Sequence, residues 1–249
     1  MGSEAIGSGG PRLLLIHGIG VNRCTWDALR AALRDAHPSL AIDLPGHGLR
    51  RGEPFDLGSA LEAVEGAVHQ AKDPVVLVGW SLGGYVALAY ASRRPERIAG
   101  IVLIGSSLIP GRAVRALFRT GSLLAPLADL GPVRSLIAAV IRYRYGRRAA
   151  STLACGLEPG SGLRALRAIA RSDVGRWRDG VRCPALVING AHDRLFRWKE
   201  HDFARRLGAA TVLTIRGTGH FAPLTSPEAM AEALADFLEG PARPVARSA

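Results

Sequence analysis

One pentapeptide constrains this chain more than any other feature: Gly79-Trp80-Ser81-Leu82-Gly83 stands between a β-branched run and a small apolar stretch. The run Val75 to Val78 predicts a buried strand, and Leu82 to Ser92 predicts a buried helix. So sharp a turn from strand to helix leaves no room for Cβ atoms beside the serine, which explains the two glycines. The pattern therefore predicts a serine at the end of a strand, facing the amino end of a helix.

Short apolar runs alternate with amphipathic stretches along the rest of the chain, which is typical of βαβ units and a mostly parallel sheet. The other predicted strands are Arg12 to His17, Leu40 to Asp43, Ile98 to Ile104, Ala185 to Ile188 and Thr211 to Ile215. The other predicted helices are Trp26 to Ala36, Leu57 to Lys72, Val133 to Tyr145, Leu163 to Ser172 and Pro227 to Leu238, the last starting after Ser226.

Strand-like runs are missing between residues 106 and 182, where arginine-punctuated helical segments replace them. We call this segment the lid and expect it to be a helical insertion. The sequence thus predicts a core of residues 11–105 and 183–240, the lid 106–182, and flexible tails 1–10 and 241–249.

The formal net charge of +11 is concentrated in the lid, where residues 112–182 contain fourteen arginines and four acidic residues. Such a cluster attracts an acidic partner. A plainer interpretation is an arginine-preferring composition, since arginine outnumbers lysine 30 to 2 over the whole chain. Nucleic acid is not expected as a partner, because few aromatic residues accompany the arginines and no nucleic-acid motif does.

Three irregularly spaced cysteines, Cys24, Cys155 and Cys183, are too few for a disulfide framework or a zinc ribbon, so we expect a reducing, cytoplasmic compartment. No run approaches the roughly 20 apolar residues of a membrane-spanning helix. The first eleven residues also lack the pattern of a signal peptide. We therefore expect no membrane contact, no metal and no organic cofactor.

A serine hydroxyl needs an adjacent base to act as a nucleophile at neutral pH. His220 follows the strand Thr211 to Ile215 through a glycine-containing loop and is the predicted general base. Asp193 follows the strand Ala185 to Ile188 and is the predicted carboxylate that orients the histidine. The order serine, aspartate, histidine is the one used by hydrolases built on such a sheet.

Three other polar residues compete for these roles. His192 adjoins Asp193, but choosing it as the base would leave the carboxylate without a separate carrier. His17 is more plausible as a brace for a loop, and Asp43 as the anchor of the turn Pro45-Gly46-His47-Gly48.

The loop His17-Gly18-Ile19-Gly20 is expected to supply the second oxyanion donor. The backbone amides of Ile19 and Leu82 would then face one tetrahedral intermediate. We expect substrate to contact Ile19, Trp80, Leu82, Phe118 and Phe221. Leu117, Phe118, Leu136 and Ile137 suit an acyl tunnel and ordinary lid packing equally well.

The chain resembles the α/β-hydrolase superfamily over nearly its whole length. The resemblance rests on His17-Gly18, Asp43-Leu44-Pro45-Gly46-His47-Gly48, Gly79-Trp80-Ser81-Leu82-Gly83-Gly84, Arg94-Pro95-Glu96-Arg97, Gly190-Ala191-His192-Asp193 and Gly219-His220. It implies a mostly parallel eight-stranded sheet flanked by helices, with a helical lid inserted.

Within the superfamily, the Trp80-Ser81-Leu82-Gly83-Gly84 segment and the short length are similar to the pimeloyl-carrier-protein methyl ester esterases and small carboxylesterases. That resemblance implies an arginine-rich lid that grips an acidic acyl carrier protein. The family typically has tryptophan where this chain has Ile19.

The expected activity is hydrolysis of a carboxylic ester or thioester through an acyl-serine intermediate, on a small molecule or on an acyl-carrier-linked substrate. A lactonase, a thioesterase or a C–C bond hydrolase acting on a free small molecule would carry the same residues. A binding protein with a hydrolase fold is the alternative from another class.

Overall fold

Six parallel strands form one sheet in the part of the chain that the computed structural model describes, residues 13–33, 37–71 and 74–240. The strands are β1 Leu13–Ile16, β2 Ser39–Ile42, β3 Val75–Trp80, β4 Ile98–Ile104, β5 Ala185–Gly190 and β6 Ala210–Ile215. Their order across the sheet is β2-β1-β3-β4-β5-β6. All six predicted strands are confirmed to within two residues at each end, and Arg12 lies outside the described residues.

The described residues form six strands, so the expected total of eight is not shown. The number eight was implied by the family resemblance. The sequence itself contains six runs with strand character, and each of them became a strand.

Alternation along the strands creates two apolar cores, one on each face of the sheet. In β1, Leu14 and Ile16 belong to one cluster of buried residues, and Leu13 and Leu15 belong to the other. Every residue of β1, β3 and β5 is buried. Such continuous apolar strands are typical of a parallel sheet covered by helices on both sides.

Thirteen α-helices occur in the described residues. In chain order they are α1 Asp27–Leu33, α2 Leu57–His69, α3 Leu82–Ala91, α4 Arg112–Gly121, α5 Ala125–Ala128, α6 Gly131–Tyr145, α7 Ala150–Ala154, α8 Pro159–Ala170, α9 Val174–Gly180, α10 Arg194–Arg197, α11 Glu200–Arg205, α12 Ala222–Thr225 and α13 Pro227–Glu239. The helix predicted from Trp26 begins one residue later, after a 3-10 turn at Arg23–Trp26, and its expected last three residues lie outside the described part. Every residue of α3 is buried, as predicted.

The segment between the end of β4 and the start of β5 is helical and contains no strand, which confirms a helical insertion. Helix α8 packs against α4 and α5 within the lid and against α3 in the core. Helix α9 then packs against α3 and leads the chain back to β5. The predicted tails 1–10 and 241–249 lie outside the described residues.

The base of the lid is fastened to the loop that follows β1. A disulfide joins Cys24 to Cys155 across 131 residues of sequence. Beside it, the Asn22 side-chain amide donates to the Gly156 carbonyl at 2.7 Å. The disulfide was not anticipated from the cysteine spacing. The reducing compartment inferred from that spacing stays a prediction. Cys183 is free, and burial raises its pKa to about 11.

No single helix in the described residues is both long and apolar enough to cross a membrane. Two adjoining segments, Arg112–Ala128 and Gly131–Ala154, reach that length and composition only when taken together, and they meet at a bend of 108°.

Candidate active site

Ser81 occupies the sharp junction between β3 and α3 that the sequence predicted. Its backbone has φ 52° and ψ −111°, a region that side-chain-bearing residues seldom adopt. Strain of this kind costs about 1 to 3 kcal/mol and persists only where surrounding contacts impose it. Here the Ser81 amide donates to the Ile104 carbonyl at 2.8 Å, and the Ser106 hydroxyl donates to the Ser81 carbonyl at 3.1 Å.

The two glycines of the pentapeptide allow three pieces of backbone to meet at this point. A Cβ on Gly79 would lie 2.4 Å from the Gly83 carbonyl oxygen, and a Cβ on Gly83 would lie 2.1 Å from the Ile16 carbonyl oxygen. Neither position tolerates a side chain, so the requirement for glycine argued from the sequence is met in the structure.

His220 lies within hydrogen-bond distance of Ser81. Its Nε2 atom is 3.1 Å from the Ser81 hydroxyl oxygen, and its Nδ1 atom is 2.7 Å from Asp193 Oδ2. Because a carboxylate only accepts hydrogen bonds, the proton of the neutral imidazole belongs on Nδ1. Nε2 is then free to accept the serine proton, which is the arrangement required of a general base.

Asp193 is buried at the start of α10, and its second carboxylate oxygen accepts from the Phe196 amide at 3.4 Å. The neighbouring His192 is exposed, and its backbone amide donates to the Thr218 carbonyl at 2.9 Å. The structure therefore brings Asp193 to His220 and leaves the competitor His192 outside the constellation.

Two aromatic side chains hold His220 in place, and the sequence did not indicate this role for either of them. The Trp80 indole donates to the His220 backbone carbonyl at 2.8 Å. The Phe196 ring stacks on the imidazole, with ring centroids 4.7 Å apart and planes at 19°. These contacts fix both the backbone and the ring orientation of His220.

Gly105 is a further requirement that the sequence did not reveal. Its φ is +55°, and a Cβ there would lie 2.8 Å from His220 Nδ1 and 3.5 Å from Asp193 Oδ2. Glycine at the end of β4 thus leaves the room in which histidine and aspartate meet.

A buried polar network supports the loop that carries Asp193. The Asn189 side-chain amide donates to Glu200 Oε2 at 2.7 Å and to the Ser107 hydroxyl at 3.0 Å. The buried Glu200 carboxylate also accepts from Arg197 Nε at 3.2 Å, and Arg197 donates to the Ala191 carbonyl at 3.0 Å. These contacts tie α10 and α11 to the end of β5.

Two buried histidines brace the predicted oxyanion loop. His17 Nε2 accepts from the Leu44 amide at 3.0 Å, while its Nδ1 faces the Gly18 carbonyl at 2.8 Å. His47 Nε2 accepts from the Gly20 amide at 3.3 Å. Burial lowers the pKa of His17 to about 4 and that of His47 to about 3, so both rings are neutral and can accept. The bracing expected of His17 is confirmed, and His47 is a second brace that was missed.

Asp43 anchors the neighbouring turn, as expected. Its carboxylate accepts from the Arg23 amide at 2.8 Å and from the Leu49 amide at 2.9 Å, and it is ion-paired with the Arg23 guanidinium. Burial alone would raise the pKa of Asp43, but the donors around it hold the pKa below its ordinary value.

Ile19 follows β1 and Leu82 begins α3, and these two segments come close together because position 83 is a glycine. Leu82 is the first residue of α3, where amides have no partner within the helix. Neither the Ile19 amide nor the Leu82 amide donates a hydrogen bond to another residue of the described ranges. Their use as oxyanion donors stays a prediction.

The predicted substrate-contacting residues differ in exposure. Trp80 and Leu82 are buried, whereas Ile19, Phe118 and Phe221 are half-buried. Of the proposed tunnel residues, Phe118 and Ile137 pack against the core. Leu117 and Leu136 are 67% and 64% exposed, so their side chains lie mainly in solvent. Contact of any of these residues with substrate stays a prediction.

Within the described residues, no group of three or more histidine, cysteine, aspartate or glutamate side chains is arranged to hold a metal ion. The polar groups gathered at the site are those that proton transfer to and from Ser81 requires.

The fold and this constellation define an α/β hydrolase. Residues 13–233 match the model of the Alpha/beta hydrolase family, and the chain therefore belongs to that family, as the sequence motifs indicated. It is 31% identical over 247 residues to a pimeloyl-[acyl-carrier protein] methyl ester esterase of Neisseria meningitidis serogroup C, an alignment that covers 92% of this chain and 94% of that protein.

Solved structures show the same architecture. A thermophilic esterase from Thermogutta terrifontis superposes with a TM-score of 0.79 at 24% identity, over 92% of this chain and 90% of that one. The enol-lactonase of Burkholderia xenovorans LB400 gives 0.77 at 22% identity, over 95% and 94%. At these identities the solved structures establish the fold alone. Together with the family match and the curated relative, they support an esterase-like hydrolase as the activity class.

Proposed function

We propose that this protein is a serine esterase that cleaves a carboxylic ester or thioester through a covalent acyl-serine intermediate. The observation that carries the proposal is the continuous chain from the Ser81 hydroxyl to His220 at 3.1 Å and from His220 to Asp193 at 2.7 Å. Each distance is short enough for direct proton transfer or orientation without rearrangement.

The reaction begins when the Ser81 oxygen attacks the ester carbonyl carbon while its proton moves to His220 Nε2. The negative charge on the former carbonyl oxygen is stabilised by the amides of Ile19 and Leu82. As the tetrahedral species collapses, the bond to the leaving alcohol or thiol breaks, and His220 returns the proton to it. Water then attacks the acyl-serine by the same route, releasing the acid and restoring Ser81.

An acyl chain attached to an acidic carrier protein is the substrate class that we propose. Relatives that are 31% identical to this chain are named pimeloyl-[acyl-carrier protein] methyl ester esterases. The fourteen arginines of residues 112–182 would attract such a carrier.

Ile19 favours a second candidate, a free small ester or lactone. It stands where the esterases of that group typically have tryptophan, and it packs closely over Gly162 of α8. The salt dependence of turnover distinguishes the two candidates. Hydrolysis of a carrier-linked ester should fall steeply with ionic strength, while hydrolysis of a free small ester should change little.

Replacement of Ser81 tests the proposed activity. Ser81→Ala should reduce kcat on a small ester by about 10⁴-fold or more and abolish labelling by a fluorophosphonate probe. Ser92→Ala, at a half-buried serine remote from the constellation, should keep both. Wild-type hydrolysis or labelling by the Ser81→Ala protein would overturn the proposal and favour a non-catalytic binding protein.

A further inference from the structure

The lid exposes a concentration of large apolar side chains. Nine of the twelve such residues exposed in the described ranges belong to α4, α5, α6 and the turns between them. We call this set the lid apolar face: Leu117, Leu123, Leu124, Leu127, Leu130, Val133, Leu136, Val140 and Tyr143. Exposed apolar residues scattered singly need no explanation, but a concentration of this kind marks a binding surface.

Helix α6 shows the arrangement most clearly, because none of its fifteen residues is buried. Val133, Leu136, Val140 and Tyr143 recur at intervals of three, four and three residues, which places them on one stripe. The stripe is exposed along its length, with Tyr143 reaching 93%.

The same helix turns another face toward the active site. Ile137 and Ile141 pack against the core cluster that contains Trp80. The ring of Tyr145, at the end of α6, lies 4.8 Å from that of Phe221, which is itself 5.9 Å from the imidazole of His220. One helix thickness therefore separates the exposed stripe from the surroundings of the catalytic base.

The charge around the face selects an anionic occupant. Arg119, four residues before Leu123, and Arg144, four residues after Val140, are exposed beside the lid apolar face and form no ion pair with the described residues. A second copy of this chain would bring one arginine-rich lid against another, with fourteen arginines and four acidic residues on each side. Self-association through this surface is thus opposed by charge.

An anionic bilayer matches both the charge and the apolar character of this face. Its phosphates suit guanidinium groups, and its headgroup–acyl boundary accepts leucine and tyrosine side chains. An acidic carrier protein would match the arginines, whereas a bilayer also provides a continuous apolar layer for the nine apolar side chains. Taken together, but not singly, the segments Arg112–Ala128 and Gly131–Ala154 reach the length and apolar composition of a membrane segment, and the 108° bend between them is incompatible with one straight span.

The geometry points to a membrane-docking surface: we propose that the lid apolar face binds the surface of a bilayer rich in anionic phospholipid, with α6 between the bilayer and His220. The sequence predicted no membrane contact because no run is long enough to span a bilayer. It could not show that these apolar residues are exposed. The proposal does not depend on the ester hydrolysis proposed above.

Co-sedimentation with vesicles tests the docking surface separately from catalysis when the Ser81→Ala protein is used. We expect binding to vesicles of phosphatidylcholine mixed with phosphatidylglycerol, about tenfold weaker binding to phosphatidylcholine alone, and loss of the difference in high salt. Adding Leu136→Ser and Val140→Ser should weaken binding about tenfold or more. Leu49→Ser, at an exposed leucine outside the lid, is the matched control.

A charge series separates phosphate recognition from apolar contact. Arg119→Gln with Arg144→Gln should weaken binding to the anionic vesicles and leave binding to neutral ones unchanged. Arg93→Gln, at an exposed arginine of the core, should have no effect.

Three results would overturn the proposal. The first is equal or absent binding to the two kinds of vesicle. The second is self-association in sedimentation velocity that Leu136→Ser with Val140→Ser abolishes, which would assign the face to a second copy. The third is binding of an acidic acyl carrier protein that depends on the same leucine and valine while vesicles do not bind, which would assign the face to a protein.

Discussion

At the scale of single residues, the meeting of Ser81, Asp193 and His220 was predictable because each belongs to a local sequence pattern with a known structural reason. The serine needs glycines around it, and the other two follow strands in a fixed order. The aromatic contacts of His220 and the need for glycine at position 105 were not predictable. They arise only when segments far apart in the chain meet, as when the Trp80 indole reaches the His220 carbonyl across 140 residues.

Gly105→Ala should damage catalysis more than folding. The new Cβ would lie 2.8 Å from His220 Nδ1, and the backbone at φ +55° disfavours alanine by about 1 to 2 kcal/mol. Displacing the imidazole should lower kcat by about 100-fold or more, measured on a small ester with circular dichroism to verify the fold. The control is Gly111→Ala, where a Cβ meets nothing within 4 Å. Equal kcat values for the two variants would show that Gly105 does not determine the position of His220.

At the scale of elements, the loop carrying Asp193 and the base of the lid are each held by contacts that no periodicity encodes. The strands, the buried helix α3 and the helical nature of the lid were predictable because apolar spacing reports burial directly. The packing of α10 and α11 beneath Asp193 was not, because it depends on a polar network in which Glu200 is buried.

Removing the charge of Glu200 should loosen that loop. Glu200→Gln deprives Arg197 of a charged acceptor, and we expect a loss of about 1 to 3 kcal/mol in the free energy of unfolding. A lower kcat with little change in KM should accompany it, because the network holds α10, which contains Phe196 and begins after Asp193. Asp202→Asn on the same helix breaks only an exposed pair with Arg205 and should cost less than about 1 kcal/mol. Denaturant titration and steady-state kinetics test both variants, and similar losses in both would contradict this role for the network.

The Cys24–Cys155 disulfide should stabilise the attachment of the lid to the core. Because it closes a loop of 131 residues, Cys24→Ser with Cys155→Ser should lower the free energy of unfolding by about 2 to 4 kcal/mol. For this double variant, the free energy of unfolding should be the same with and without reductant. Cys183→Ser is the control, since that thiol is free.

Thiol titration under denaturing conditions without reductant gives an independent measure of the same bond. One reactive thiol per chain indicates the bond. Three would show that the bond is absent from the preparation, as the predicted cytoplasmic compartment would favour.

At the scale of the whole molecule, the sequence predicted the α/β architecture and the insertion, and the described residues contain six of the eight expected strands. Periodicity located every strand of the described residues. The total of eight came from the family resemblance and not from periodicity. Which apolar residues face solvent was also beyond the sequence: the stripe Val133, Leu136, Val140 and Tyr143 has the spacing of a buried face, yet it is exposed.

Stability should fall in mild acid because His17 and His47 are buried and neutral. Their pKa values in the folded protein, about 4 and about 3, lie below the 6.5 of an unfolded chain. Below pH 6.5 these two histidines therefore bind protons in the unfolded state but not in the folded state. The free energy of unfolding should decline from about pH 6.5 downward, by up to about 1.4 kcal/mol per pH unit for each histidine.

Urea unfolding between about pH 7.5 and about pH 5 measures this slope. His47→Gln retains a side-chain oxygen that can accept from the Gly20 amide, and it should make the slope shallower. His201→Gln, at an exposed histidine, is the matched control. A wild-type stability independent of pH over this interval would contradict the assignment of two neutral buried rings.

The place where the lid enters the core has a consequence for how such a protein can diversify. The connection from β4 to its neighbour β5 still contains a crossover helix, α9, packed against α3, and the remaining lid helices are spliced in ahead of it. Ser81 precedes the splice, and Asp193 and His220 follow it. Exchanging the inserted lid helices would thus leave Ser81, Asp193 and His220 on an unchanged core. The surface of the lid and the arrangement of these three residues can therefore evolve at different rates.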